Sequence, residues 1–262
     1  MVIYTCKDTF EDILCGAYAA LQEKAGPAGV RLEIEGMGDM ELFAVYRQAK
    51  SSEWIFGQAV KAVRQRISPA AYEKVYLASL GRDADRANWI YRFLASGFRY
   101  GDAVMEMHHL EEVDRLFRIC RFVQNESHLL TGFLRFSRTK EDLLIGRIGP
   151  KNDVLPLLAR HFSDRLGGEN WLIYDEGRKK AALHPAGGTW FLLHEEDGLQ
   201  DKLAWKTDEE EYQALWRTFH EAVAVPERTN ALCQRTHLPL RYCAYMTEFQ
   251  KGKGLQPPEE CD

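Results

Sequence analysis

The sequence lacks the motifs that mark several common enzyme classes. It contains no G-x-x-x-x-G-K-[ST], no G-x-G-x-x-G after a strand, no G-x-S-x-G and no H-E-x-x-H. These patterns hold phosphates, nucleophiles or zinc in their respective sites. P-loop nucleotide hydrolysis, Rossmann redox chemistry, serine hydrolysis and zinc proteolysis therefore have no support from sequence motifs.

Long apolar runs are also missing. No stretch approaches the length of about 18 apolar residues that a membrane helix needs. The N-terminus, MVIYTCKDTFEDIL, carries acidic residues early and has no basic region, which argues against a signal peptide. We therefore predict a cytoplasmic protein that makes no membrane contact, and the sequence leaves the oligomeric state open.

The six cysteines contain no C-x-x-C pair, so we predict no zinc ribbon, no iron–sulfur cluster and no essential disulfide. Cys233 and Cys243 are a weaker alternative as a metal pair. Glu106-x-x-His109 has the spacing of half a di-iron motif, but the required second copy is absent. The prediction is therefore no metal and no cofactor.

Hydrophobic periodicity divides the chain near residue 130. Helical spacing dominates from Ser52 to about residue 124, after short strand patterns at 2–5 and 32–35. Ser68-Pro69 is a typical helix start, and Gly81 is predicted to end that helix in the left-handed conformation. Two further helices are predicted, over 84–95 and 104–124.

Beyond residue 130 the pattern alternates with period two. It predicts strands in GFLRFS, DLLIGRI, WLIY, KAALH and TWFLLH, with positive φ at Gly177 in one turn. A helix capped by Asn152 or Asp153 should pack through Val154, Leu158, Phe162 and Leu166. A last helix should begin with the capping box Thr207/Glu210 and bury Tyr212, Leu215, Trp216, Phe219 and Val223.

These patterns predict an α+β fold. A helical N-terminal half is followed by an antiparallel sheet with helices packed on one face. The predicted division is a mixed, mainly helical region at 1–128 and an antiparallel-sheet region with C-terminal helices at 129–262. The length of 262 residues and the 45% hydrophobic content allow each region a core of its own.

Positive charge is concentrated in the middle of an acidic chain. The stretch 115–182 holds 13 Lys and Arg against 8 Asp and Glu, whereas the whole chain has a net charge of −5. A focused basic patch can bind a polyanion even when its flanks are acidic. A solvated surface with ordinary charge scatter is the alternative, and it is favoured for Arg115, Arg118 and Arg121 on an amphipathic helix.

Two groups of residues are candidates for phosphate binding. His161 and Arg165 lie four apart on one helix face, and with Arg135 or Arg178 they could hold a phosphate. The second group lies in the C-terminal segment, where planar donors and an aromatic ring suit phosphate contact and base stacking. Its members are Arg228, Asn230, Arg235, His237, Arg241 and Tyr242. In the alternative interpretation, His161 is structural and the C-terminal arginines clamp the tail by pairing with Glu221, Glu227 and Glu248.

Five segments of the chain resemble a bacterial family of DNA metabolism or DNA repair proteins that is built around a domain of unknown function. The segments are IYTCKDTFEDILCGAY, GFLRF at 132–136, DVLPLLARHFSDR at 153–165, WLIYDEGRKKAALH at 171–184 and RTNALCQRTHLPLRY at 228–242. Such proteins typically sit beside a radical-SAM protein of DNA modification or repair, and some carry a C-terminal uracil-DNA glycosylase-like domain. The resemblance implies that a chain ending at Asp262 is similar to the stand-alone form. Cys243 departs from the family, which often has an aromatic residue there.

The resemblance implies a DNA-binding protein of DNA repair or metabolism that acts with a radical-SAM partner. One rival is an enzyme acting on a nucleotide or nucleic acid, with His161 as proton donor and arginines holding phosphates. A second rival is a protein-interaction subunit without nucleic-acid contact. The sequence does not decide whether a reaction is catalysed, or whether single or double strands are preferred.

Overall fold

The computed structural model describes residues 1–23, 29–38, 41–139, 142–194, 210–223 and 230–249. The chain divides into two compact units. Unit 1 is Met1–Glu126 with Lys151–Asp153, and unit 2 is Ser127–Pro150 with Val154–Asp262. Whether the regions predicted at 1–128 and 129–262 are independent domains stays a prediction.

Unit 1 contains a small parallel sheet. Its strands are β1 (Val2–Cys6), β2 (Val30–Ile34) and β3 (Val45–Gln48), in the order β2-β1-β3. Both neighbours run parallel to β1. The sequence predicted β1 and β2 but not β3, because all four side chains of β3 are exposed and show no alternation between buried and exposed positions.

Helices form most of unit 1. They are α1 (Phe10–Leu21), α2 (Glu53–Arg66), α3 (Pro69–Ser79), α4 (Arg86–Tyr100), a 3₁₀ turn (Gly101–Glu106) and the start of α5 (Glu111–Phe133). Side-chain oxygens of Thr9, Ser52 and Ser68 each accept a first-turn N–H, which satisfies a donor that the helix leaves free. The predicted helix start at Ser68-Pro69 is confirmed.

Three helix predictions differ from the structure. The helix predicted over 84–95 is α4, which begins at Arg86 and continues to Tyr100. Gly81 does not adopt positive φ. A glycine is required at this position because a Cβ would overlap the side chain of Ile119. The helix predicted over 104–124 begins at Glu111 and continues to Phe133. Its helical spacing of buried residues extends to Leu130, so the period-two pattern begins later than the sequence indicated.

Unit 2 is built on a five-stranded sheet of order β4-β5-β6-β7-β8. The strands are β4 (Phe136–Arg138), β5 (Leu144–Ile148), β6 (Trp171–Asp175), β7 (Lys180–His184) and β8 (Phe191–His194). Only the pair β5–β6 is parallel; the other three pairs are antiparallel. The predicted α+β class is therefore confirmed, with a sheet that is mostly antiparallel rather than wholly so.

The helix α6 (Leu155–Arg165) connects the two parallel strands and packs on β6 and β7. Val154, Leu158 and Phe162 are buried as predicted. The predicted cap is wrong, because no side chain caps α6. Asn152 instead accepts a hydrogen bond from the backbone N–H of Arg82 at 2.9 Å.

The turn between β6 and β7 is shaped by a side chain rather than by a glycine. Asp175 Oδ1 accepts from the backbone N–H groups of Gly177 and Arg178 at 3.0 and 3.2 Å. Positive φ falls on Lys179, at 52°, and not on Gly177. The hydrogen bonds of Asp175 therefore stabilise the turn, and not a positive φ at Gly177 as the sequence predicted.

The C-terminal part of unit 2 contains α7 (Glu210–Val223), α8 (Ala231–His237), α9 (Leu240–Cys243) and a 3₁₀ turn (Thr247–Phe249). The predicted core face of α7 is wrong, because Leu215, Trp216, Phe219 and Val223 are all exposed. Thr207, of the predicted capping box, lies outside the described residues, as does the side chain of Tyr212. Within the described ranges, no helix has the length and apolar character needed to cross a bilayer.

Candidate nucleic-acid interface

The structure does not join His161 to a phosphate-binding set. His161 and Arg165 are exposed on α6. The His161 ring has an edge contact with Phe162, with centroids 5.0 Å apart. Neither side chain has a hydrogen bond or an ion pair with a described residue, so no neighbour orients His161 as a proton donor.

Arg135 is bound to a carboxylate in unit 2. Its Nη2 and Nε lie 2.7 and 3.3 Å from the two oxygens of Glu248, a two-pronged pairing. Trp216 Nε1 donates to the same carboxylate at 3.2 Å. Burial alone would raise the pKa of Glu248, but the hydrogen bonds from Arg135 and Trp216 and the Arg135 charge give a net lowered pKa.

Arg178 has protein partners as well. Its Nη1 donates to Asp175 Oδ2 at 3.3 Å and to the carbonyl oxygen of Pro150 at 3.2 Å. The Asp175 side chain is fully buried beneath it. Arg178 therefore neutralises a buried carboxylate, and a phosphate would have to compete with Asp175 for the guanidinium.

Tyr242 is a core residue. It is only 1% exposed, and its ring packs against Phe133 with centroids 6.0 Å apart. The Arg241 guanidinium lies over this ring at 4.4 Å and donates to the hydroxyl at 2.7 Å. The Tyr242 ring is thus covered and does not offer a face for base stacking.

The remaining predicted residues contribute less to a site. Asn230 Oδ1 accepts from the N–H of Cys233 at 2.9 Å and so caps α8. Arg228 and the side chain of Arg235 lie outside the described residues. In the parts of the chain described, no group of three or more His, Cys, Asp or Glu is placed to hold a metal.

Two contacts dock the segment Leu240–Phe249 within unit 2. The Tyr245 hydroxyl donates to Glu176 at 2.9 Å, and Arg147 pairs with the same carboxylate. The second contact is the Arg135–Glu248 pair. Burial, followed by the Glu176 charge, raises the pKa of Tyr245, so its hydroxyl remains a donor. Glu248 is thus paired with an arginine, but its partner Arg135 precedes β4 and is not one of the C-terminal arginines of the tail-clamp interpretation.

Unit 1 holds a cleft that the sequence analysis did not single out. Its volume is about 630 Å³. The polar residues that line the cleft are Arg31, Asn88, Arg92, Ser96, Arg99 and Glu112, and the aromatic residue Tyr100 also lines it. Three guanidinium groups and one carboxylate therefore face this cleft, which we call the α4 cleft.

The polar side of the α4 cleft comes from one face of a helix. Asn88, Arg92, Ser96 and Arg99 follow one another at intervals of four, four and three residues along α4. That spacing places them on one side of the helix. The opposite side of α4 holds the buried residues Ile90, Phe93, Leu94 and Gly97, which fix the orientation of the polar side.

Two of the three cleft arginines, Arg92 and Arg99, are weakly neutralised. Arg92 lies 3.7 Å from Glu111, and Arg115 lies 3.9 Å from the same carboxylate. One charge is thus shared between two arginines at long distance. Arg99 is exposed, its guanidinium lies 5.1 Å from the centroid of the Tyr100 ring, and it has no ion pair with a described residue.

Two other charged groups limit where an anion can bind. Arg31 pairs with Glu33, Glu41 and Asp85 at 3.2, 2.9 and 2.8 Å. Burial would lower the pKa of Arg31, but the Asp85 hydrogen bond and the three carboxylates raise it. Glu112 accepts a short hydrogen bond from Ser96. Arg92 and Arg99 are therefore the more favourable arginines for an anion, with the Glu112 carboxylate beside Ser96 between them.

A helical face of this kind was visible in the sequence. The spacing Asn88, Arg92, Ser96 and Arg99 can be read without a structure, but the region 1–114 is acidic overall, so its net charge does not indicate an anion site. Asn88 Oδ1 accepts from the N–H of Leu32 at 3.4 Å, which leaves its amide N–H groups as donors.

A family model for a domain of unknown function, DUF4130, matches residues 84–248, more than half of the chain. The match begins just before α4 and includes most of the polar residues of the α4 cleft. No curated protein matches the sequence.

Proposed function

The chain belongs to the DUF4130 family, and we propose that it binds nucleic acid in the α4 cleft. The observation that carries the proposal is the pairing of two poorly neutralised guanidinium groups, Arg92 and Arg99, with an exposed aromatic ring, Tyr100. Guanidinium groups match phosphate oxygens, and an exposed ring can stack on a base.

The proposed ligand is a single-stranded stretch of DNA. Base stacking on a protein ring requires an unpaired base, whereas a duplex offers its bases only through the grooves. Arg92 and Arg99 would hold neighbouring phosphates, and Asn88 would donate from its free amide group. The Glu112 carboxylate, bonded to Ser96 between Arg92 and Arg99 on the α4 face, would repel a phosphate placed directly beside it, so the two phosphates would lie on either side of it.

A role in DNA repair or DNA metabolism, with a radical-SAM partner, is part of the same proposal. Its support is the resemblance of the five segments to bacterial proteins of that description. The α4 cleft is compatible with it because single-stranded DNA is a common intermediate of repair. The enzyme alternative has less support, since no hydrogen bond from a described residue orients His161.

Fluorescence anisotropy of a labelled single-stranded oligonucleotide, titrated at several salt concentrations, tests the proposal. Each phosphate contact removed should reduce the slope of log affinity against log salt by about 0.7. We expect this for Arg92→Ala and for Arg99→Ala. Tyr100→Ala should lower the affinity by about 1–3 kcal/mol with little change in slope.

Arg118→Ala is the matched control. Arg118 is an exposed arginine on α5 that pairs with Asp114 at 2.7 Å and does not line the cleft. Unchanged affinity and slope in folded Arg92→Ala and Arg99→Ala would refute binding in the α4 cleft. Arg178→Ala and Arg241→Ala form a second arm, and a loss there alone would transfer the site to the arginines predicted from the sequence.

A further inference from the structure

We propose that the α4 cleft prefers guanine among the four bases, and that the Glu112 carboxylate is the group that selects it. This inference rests on the proposed binding of single-stranded DNA in that cleft and adds the identity of the bound base. A carboxylate between two phosphate-binding arginines opposes the binding of a phosphate, because like charges repel. It favours instead a part of the nucleotide that donates hydrogen bonds, and that part is the base.

The Glu112 carboxylate is held in place by one of its two oxygens. Glu112 lies near the start of α5, lines the cleft and is half-buried. Its Oε1 accepts a short hydrogen bond from the Ser96 hydroxyl. The other oxygen, Oε2, has no hydrogen bond or ion pair with a described residue. The bond to Ser96 therefore positions the carboxylate, and Oε2 is left to accept from a ligand.

The carboxylate lies beside the place where a base would stack. Ser96 and Tyr100 are four residues apart on α4, so their side chains are neighbours on one side of the helix. Both residues line the cleft, and Tyr100 is 39% exposed. A base stacked on the Tyr100 ring would therefore turn one of its edges toward Ser96 and the carboxylate that Ser96 holds.

The donors on the Watson–Crick edge of an unpaired base decide which base fits. An ionised carboxylate can only accept hydrogen bonds. Guanine presents two adjacent donors on this edge, the N1–H and the N2 amino group. Adenine and cytosine each present one amino group beside a ring nitrogen that accepts, and thymine presents one N–H between two carbonyl oxygens. Acceptor atoms facing Glu112 would be repelled, so guanine is the base that matches a carboxylate.

The two arginines leave room for this arrangement. Arg92 precedes Ser96 by four residues and Arg99 follows it by three, so the guanidinium groups flank the carboxylate along α4. The phosphates on the two sides of a guanosine would lie at Arg92 and Arg99, away from Glu112. The neutral edge of the base would approach the carboxylate without charge repulsion.

Competition anisotropy on the full chain tests the inference, with short unlabelled oligothymidylates that carry dT, dA, dC or dG at the central position. We expect the dG oligonucleotide to bind about tenfold more tightly than the dA one, the discrimination typical of a hydrogen bond to a charged group. Deoxyinosine lacks the N2 amino group and should lose part of this preference. The 7-deaza analogue of guanine keeps the Watson–Crick edge and should retain all of it.

Glu112→Gln should remove most of the guanine preference, because an amide replaces one acceptor oxygen by a donor. It should also raise the affinity for every oligonucleotide, since it removes a negative charge from the cleft. Glu111→Gln is the matched control. It removes the same charge from the neighbouring residue, which does not line the cleft, so it should raise the affinity but keep the guanine preference. Ser96→Ala frees the carboxylate and should weaken the preference.

Failure of this inference can be distinguished from failure of the proposed function. Equal affinities for the dG and dA oligonucleotides, or a full guanine preference in Glu112→Gln, would overturn the selection of guanine. A loss of affinity in Arg92→Ala would in that case still support DNA binding in the cleft. If Arg92→Ala and Arg99→Ala both bind DNA as the wild type does, binding in the α4 cleft is refuted, and the selection of guanine there is refuted with it.

Discussion

The Glu126 carboxylate accepts both the backbone N–H and the side-chain amide of Asn152 on a single oxygen, each at 2.7 Å. Its other oxygen accepts from the N–H of Lys151 at 2.9 Å. Both Glu126 and Asn152 are buried. This carboxylate holds the segment 151–153 within unit 1, and it explains why Asn152 is not the cap of α6.

Removal of the Glu126 carboxylate should destabilise the protein. Glu126→Ala leaves two buried donors of Asn152 unpaired, at a cost of roughly 1–3 kcal/mol each. We expect a loss of about 2–4 kcal/mol in the free energy of unfolding, with a smaller loss for Glu126→Gln. Urea denaturation measures it, and Gln124→Ala, at an exposed position on α5, is the control. A Glu126→Ala protein as stable as the control would contradict this assignment.

The Arg135–Glu248 pair predicts a loss of stability in acid. The folded-state pKa of Glu248 is lowered below the ordinary value of 4.5. For a carboxyl group with a depressed pKa, the stabilisation is complete above the unfolded pKa and is lost as the pH falls through the folded one. The unfolding free energy should therefore fall below about pH 4.5 more steeply in the wild type than in Glu248→Gln.

Arg135→Ala should lower stability at neutral pH by about 2 kcal/mol, because hydrogen bonds to charged groups contribute roughly 1.5–3 kcal/mol. It should also remove the Glu248-dependent part of the acid response. Chemical denaturation at a series of pH values measures both effects. Equal pH profiles for the wild type and Glu248→Gln would show that the pair does not contribute.

The cysteines should react at very different rates. Burial, followed by the charges of Asp12 and Asp8, raises the pKa of Cys6 to about 12. Burial likewise raises the pKa of Cys120 to about 12. Cys233 is exposed, and none of the five described cysteines forms a disulfide. Because the thiolate is the nucleophile, Cys6 and Cys120 should be inert in the folded protein near neutral pH.

A thiol-reactive probe in a Cys261→Ser background measures this difference. Cys233 should be labelled first, and Cys233→Ser should remove the fast phase. Cys6 and Cys120 should be labelled only after unfolding. Peptide mapping that found Cys6 or Cys120 labelled as fast as Cys233 would contradict the burial of these two thiols.

Local sequence signals predicted much of the fold and little of the candidate site. The cap at Ser68 and the strand at Trp171 depend on neighbours in the chain, so spacing was enough to find them. The cap assigned to Asn152 failed because its partners, Glu126 and Arg82, are distant in sequence. Nothing in the sequence indicated that Arg135 and Arg178 are paired with carboxylates. The fold brings Glu248 to Arg135 and Asp175 to Arg178. Asp175 is close in sequence, yet only the turn geometry shows the pairing.

Gly149 is predicted to control the docking of the segment Leu240–Phe249 in unit 2. A Cβ at Gly149 would overlap Tyr245 Oη and lie 3.0 Å from Cζ. Gly149→Ala should therefore displace the Tyr245 ring and break its bond to Glu176, with a loss of about 1–3 kcal/mol typical of overpacking. The test is a double-mutant cycle. In a Tyr245→Ala background the added methyl group meets no ring, so Gly149→Ala should change the unfolding free energy by less than about 0.5 kcal/mol. Gly168→Ala, where a Cβ meets nothing within 4 Å, is the control for the loss of a glycine. Equal costs of Gly149→Ala in the two backgrounds would mean that the Tyr245 ring is not what requires a glycine at this position.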